Sequence, residues 1–254
     1  MWSSGKNSDF NQANLLEKVL LMFKKSGGLV TLVFLFLCQL SFGQSVFQSF
    51  DLIVSDPGGV VAALNKAQAS PLGQDSSARV YLYQYLANGD SQATHSVLVV
   101  HDNAEEMGGD LQRNLTSSDW ATFISEMNQA SEVEAEVIGQ FLAVGGDPSS
   151  VLDPNRVALA YQMSVTDPAA YARAWTDFVG ANAEVGVSYL SASVASGNNP
   201  ATHVAVNWAN SVGELMANQP QNLDGWDTFS RRVRNIRTVE STNMMMLLAS
   251  WNVD

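Results

Sequence analysis

The spacing of apolar residues changes along the chain, and the changes mark out its elements. Phe47 to Val54 and Val157 to Val165 are apolar-rich runs of strand length. Each run leads into Asp-Pro (Asp56-Pro57 and Asp167-Pro168), a side-chain cap followed by proline at the first helical position. Beyond these caps, Val60, Val61, Leu64 and Ala67, and likewise Tyr171, Ala174, Trp175 and Phe178, recur at helical spacing. Arg79 to Ala87 and Val185 to Ala195 are rich in Val, Tyr and Leu. Both pass through a polar, glycine-containing loop into Thr94 to His101 or Thr202 to Ala209, which predicts a β-hairpin. Ser117 or Ser118 can cap a helix carrying Trp120, Phe123, Ile124 and Met127, matched later by Trp226, Phe229, Val233 and Ile236. Val133 to Ala143 and Glu240 to Val253 then close each half as strands. The predicted order is βαββαβ, twice.

The two halves also agree residue by residue. Val54-Ser55-Asp56-Pro57 returns as Val165-Thr166-Asp167-Pro168, an offset of 111. Gly89 to His95 returns as Gly197 to His203 at 108, and Trp120-x-x-Phe123 as Trp226-x-x-Phe229 at 106. The blocks keep their order, which points to an internal duplication. A βαββαβ unit is the ferredoxin-like motif, a four-stranded antiparallel sheet with both helices on one face. Its bare face needs a cover, and a second copy supplies one through a pseudo-two-fold axis. The predicted fold class is α+β: two tandem ferredoxin-like repeats packed sheet to sheet as a pseudo-dimeric α+β barrel. The expected divisions are 1–43 (an export segment with an extension), 44–144 (first repeat), 145–155 (a Gly/Pro/Ser linker) and 156–254 (second repeat).

On the element order, the Asp-Pro helix starts and the Trp-x-x-Phe helices, residues 47 to 253 resemble the dimeric α+β barrel superfamily, that of the antibiotic-biosynthesis monooxygenase-like domains, in a fused two-copy form. The resemblance implies a cavity and oxygenase or isomerase chemistry without a cofactor. It carries no catalytic motif onto individual residues.

Residues 22 to 43 have the layout of a secretory signal: Lys24 and Lys25, an uncharged apolar run from Leu29 to Phe42, then Ser41 and Gly43 before a cut. A start at Met22 would suit it, and the run is short for a membrane span of about 20 residues. The expectation is a secreted or periplasmic protein with no stable membrane insertion once the signal is removed. Its only cysteine, Cys38, would leave with that segment, excluding disulfides, thiolate metal sites and a cysteine nucleophile from the mature chain. With 13 basic against 25 acidic residues the whole chain carries −12, so nucleic acid is not an expected partner. The oligomeric state is left open.

Candidate chemistry is sparse. His95 and His203 occupy matched positions after the hairpin loop, which suits either a hydrogen bond to the loop backbone or a ligand role. His101 has Ala209 as its counterpart. His95 and His101 share a face but stand about 20 Å apart along the strand, too far for one metal, and no metal-ligand spacing is present. No metal and no cofactor are assigned. Tyr81, Tyr83 and Tyr85 alternate and so line one face, where the second half has Tyr189, Ser191 and Ser193. With Trp208 they form either packed core or the wall of a pocket for a small apolar ligand. Arg231, Arg234 and Arg237, spaced by three, read as one helix face for an anion, or as residues ion-paired with acidic neighbours.

Two functions follow. One is a binder of a small apolar or aromatic molecule, with monooxygenase-like activity implied by the resemblance. The other is a non-catalytic structural or interaction protein. An enclosed pocket of a few hundred Å³ touching Tyr83 or His101 favours the first, and a filled interior the second.

Overall fold

The computed structural model describes residues 44–151 and 153–253, so the export segment expected at 22 to 43 lies outside the described residues. The first half runs β1 (Val46–Val54), α1 (Pro57–Ala69), α2 (Pro71–Gln74), β2 (Arg79–Ala87), β3 (His95–His101), α3 (Ala104–Asn114), α4 (Ser118–Ala130) and β4 (Ser131–Gly145). The second half runs β5 (Val157–Val165), α5 (Pro168–Gly180), β6 (Val187–Ala195), β7 (His203–Ala209), α6 (Val212–Ala217), α7 (Trp226–Val233) and β8 (Arg237–Trp251). Both Asp-Pro starts are real caps: the Asp56 carboxylate accepts from the Gly59 amide, and Asp167 accepts from Ala170.

All eight strands pair antiparallel into one closed barrel in the order β1-β3-β2-β8-β5-β7-β6-β4, with β4 returning to β1. The halves therefore meet edge to edge rather than face to face. The long strands do the joining. Ser131 to Gln140 of β4 pairs with β1 and Ile138 to Gly145 with β6, while Arg237 to Met246 of β8 pairs with β5 and Met244 to Trp251 with β2. Closure pairs every edge that a four-stranded half would leave open.

Four packed regions result, the smallest formed by Val157, Ala209 and Leu215. Leu52, Leu64, Val80, Leu82 and Val97 lie between the first-half sheet and its helices, and Met163, Tyr171, Trp175, Phe178 and Phe229 lie in the second-half counterpart. Tyr83, Ala158, Val187, Trp208 and Leu247 fill the barrel interior. There Gly139 lets Phe47 close in, since a Cβ at Gly139 would come within 2.4 Å of that ring.

Helices α3 and α6 do not show in the apolar periodicity. Their starts are marked instead by capping residues three positions apart, Asn103 with Glu106 and Ser211 with Glu214. No helix among the described residues is long and apolar enough to cross a membrane.

Candidate functional site

A cavity of about 350 Å³ opens between the first-half sheet and helices α1 to α4. Its floor is the helix-facing side of the strands, with Phe50 and Leu52 of β1, Val80 of β2, and Val97, Val99 and His101 of β3. Leu64 and Ala67 of α1, Leu111 of α3, and Trp120, Phe123 and Met127 of α4 complete its walls.

The void has a cause in side-chain volume. Both α1 and α5 start at Asp-Pro, but where α5 buries Tyr171, Trp175 and Phe178, α1 has Val60, Leu64 and Ala67 at the same steps. In the second half those side chains pack in one cluster with Phe229 and fill the space, Phe178 stacking on Phe229 at 4.8 Å and meeting Trp226 edge-on, and Tyr171 meeting Phe229 edge-on. The cavity beside Phe178, Val187 and Leu215 holds only about 40 Å³.

The cavity's polar wall is built around Asp110. His101, 2% exposed, directs Nε2 to the Asp110 carboxylate at 3.2 Å. The Ser76 hydroxyl and the Arg113 guanidinium donate to the same carboxylate. An ionised carboxylate can only accept, so this contact places the hydrogen of a neutral His101 on Nε2. The buried Nδ1 has no hydrogen-bond partner among the described residues. Such an imidazole, its tautomer set by a carboxylate, has the arrangement of a general base.

The tyrosine stripe lies on the opposite face of the same sheet. Tyr81 and Tyr83 stack at 6.2 Å, and Tyr83 meets Trp208 at 5.7 Å inside the barrel. Sequence reading thus places Tyr83 and Trp208 together, as found, but in packed interior; neither lines the cavity, nor do Tyr81 and Tyr85. The Tyr85 hydroxyl donates to Asp51 Oδ1 at 2.8 Å. Burial pushes the Asp51 carboxyl up and raises the Tyr85 phenol, whose ionisation the neighbouring Asp51 charge further opposes. Burial also pushes Tyr189 up to about 12.

The arginines do not share a helix face. Helix α7 ends at Val233, and Arg237 opens β8. Its guanidinium lies 5.4 Å over the Phe229 ring and opposes the upward push of burial on Tyr171. Exposed Arg231 bonds to Thr228 on its own helix, Arg234 is exposed at the helix C-terminus, and Arg232 pairs with Asp177 at 2.7 Å. A spacing of three reads as a helical face, but here it runs across a turn.

His95 and His203 play matched parts, though their partner is a side chain rather than the loop backbone. Each Nδ1 lies 2.9 Å from the preceding threonine hydroxyl, Thr94 or Thr202. Those hydroxyls accept from the amides of Val54 and Val165. Burial lowers both imidazoles from the ordinary 6.5. Just below that pH the unfolded chain binds more protons than the folded one, so this contribution to stability is full above 6.5 and is lost as pH falls through the lowered values. Calorimetry is expected to show a melting temperature falling from neutral to mildly acidic pH, with a shallower fall when both histidines are replaced by Gln; an equally steep fall in that variant would place the effect elsewhere.

Sequence reading missed Asp110, Ser76 and the contribution of Ala67. Asp110 follows two glycines in a stretch with no apolar period, and its one signal is the Asn103-x-x-Glu106 cap seven residues upstream. Ala67 is informative only when set against Phe178.

No protein-family model and no curated protein matches the chain. Solved structures do. A candidate monooxygenase from Fusobacterium nucleatum subsp. nucleatum superposes with a TM-score of 0.57 at 9% identity, over 83% of this chain and 94% of that one. A candidate monooxygenase from Lactobacillus acidophilus gives 0.54 at 10% identity, over 81% and 93%. An anthrone oxidase-like protein gives 0.52 at 12%, over 84% and 94%. At such identities the likeness concerns architecture alone: within one chain, this protein has the fold of the dimeric α+β barrel proteins.

Proposed function

We propose that this is an exported protein that binds a small apolar or aromatic molecule in the sheet–helix cavity of its first half. The observation that carries the reading is that cavity: about 350 Å³, walled by aliphatic and aromatic side chains, with a buried imidazole on its floor. Its size and lining match those of small-molecule sites. We further read the barrel as two diverged copies of a ferredoxin-like unit, on the strength of the matched sequence blocks and the like order β4-β1-β3-β2 and β8-β5-β7-β6 in the two halves. One copy filled its cavity with rings and the other kept it open. Monooxygenase-like chemistry is the activity that the neighbours' names support, and His101 is the group in this chain that would take a proton from the bound molecule. Titrating the full chain with uncharged N-phenyl-naphthylamine tests the binding. The expected result is a saturable rise in probe emission at one molecule per chain. No rise, with a folded protein, would favour the structural or interaction role instead.

A further inference from the structure

Helix α3 forms one wall of the cavity, through Asp110, Leu111, Arg113 and Asn114. It has two adjacent glycines in mid-helix, Gly108 and Gly109, whereas the Gly58-Gly59 pair of α1 sits in the first turn, where a Cβ at Gly59 would come within 2.7 Å of the capping Asp56. Neither is required by space or by backbone. A Cβ at Gly108 would meet nothing within 4 Å, a Cβ at Gly109 would meet only the flexible end of Arg113 at 3.6 Å, and neither glycine has a positive φ. Alanine would fit at both positions and would make a firmer helix. What the glycines supply is a helix that opens easily.

The way α3 is held agrees with this. Met107 is its one buried residue, and Leu111, although it lines the cavity, is 40% exposed. The rest of its attachment is polar: Glu106 accepts from the Ser77 hydroxyl at 2.9 Å, and Asp110 takes the Ser76 hydroxyl and His101 Nε2. A helix anchored by a single buried apolar residue sits toward the low end of local stability. The second half has only the short α6 (six residues) at this point, and its cavity is filled. The longer, weaker helix occurs where there is a void to guard.

We infer that α3 is a gate over the cavity, yielding at Gly108-Gly109 and latched by Asp110 on Ser76 and His101, and that ligand enters and leaves when it opens. The inference rests on the proposed ligand-binding reading for its second part only; the opening itself is a property of the empty protein. The latch holds Nε2 of the imidazole whose Nδ1 has no hydrogen-bond partner among the described residues, so opening releases His101 Nε2 from Asp110.

The test uses the full chain in two arms. Hydrogen exchange followed by mass spectrometry is expected to show the amides of 104–114 exchanging faster than those of α4. The double variant Gly108→Ala/Gly109→Ala should slow them roughly tenfold, since each replacement favours the helix by several-fold, and Asp110→Asn should speed them. Stopped-flow mixing with N-phenyl-naphthylamine should show association and dissociation both slowed in the alanine pair, with the equilibrium affinity changed far less. Exchange in α3 as slow as in α4, or indifferent to the alanine pair, overturns the gate. Exchange that responds while probe rates do not overturns its role in entry. Failure of the probe to bind at all would instead count against the cavity reading, and the exchange arm would still decide whether α3 opens.

Discussion

Replacing Ala67 by Phe is expected to abolish binding of the neutral probe while leaving the melting temperature at or above that of the parent protein. The substitution places on α1 the residue that α5 carries at the matched step, Phe178, whose ring packs against Phe229 and Trp226. In α1 the same ring would point into a void bounded by Leu64, Phe123 and Met127. Adding volume to a filled core costs about 1–3 kcal/mol, but adding it to an empty apolar space gains dispersion contacts and removes apolar surface from water. The fold already tolerates this arrangement in its second half. Fluorescence titration and a thermal melt on the same sample decide the matter: unchanged probe affinity in a folded variant would show that the cavity is not the binding site.

Trp208→Ala is expected to do the reverse, lowering stability by about 3–5 kcal/mol while the protein that remains folded still binds the probe. Trp208 is 7% exposed and packs on Tyr83 inside the barrel, with Ala158, Val187 and Leu247 around it. Truncation leaves a hole that a closed eight-stranded barrel cannot collapse to fill, because every strand is held by two neighbours. Urea unfolding measures the loss. A change below about 1 kcal/mol, far from a buried tryptophan's usual cost, coupled with lost binding would move the ligand site to the tyrosine stripe.

The two substitutions differ because the two faces of one sheet have different fates, and that difference marks the limit of sequence reading. Alternation along β2 places Tyr81, Tyr83 and Tyr85 on one face whatever surrounds them, since successive side chains in a strand point to opposite sides. Whether that face encloses space depends on the volumes brought against it from β6, β7 and β8, which lie more than 100 residues away. The arginines show the same limit locally. Three residues spaced by three satisfy the helical period, but Arg234 caps α7, and Arg237 has turned into β8 and lies over Phe229. Helix α3 shows it in the other direction, because Gly108-Gly109 argues against a helix that the Asn103 cap and the packing of Met107 nevertheless hold in place.

By itself, the sequence determined what is local: strands from alternating and apolar runs, helix starts from Asp-Pro caps, and the order of the eight strands and of the helices with apolar periodicity. These depend on backbone preference and side-chain periodicity, which act over a few residues. Tertiary structure alone decided that β2 joins β8 and β4 joins β6, that the barrel interior is filled, and that the open space lies under α1 beside His101 and Asp110. Pairing of edges and matching of volumes are settled between segments distant in sequence, and no stretch of chain contains both sides of the match.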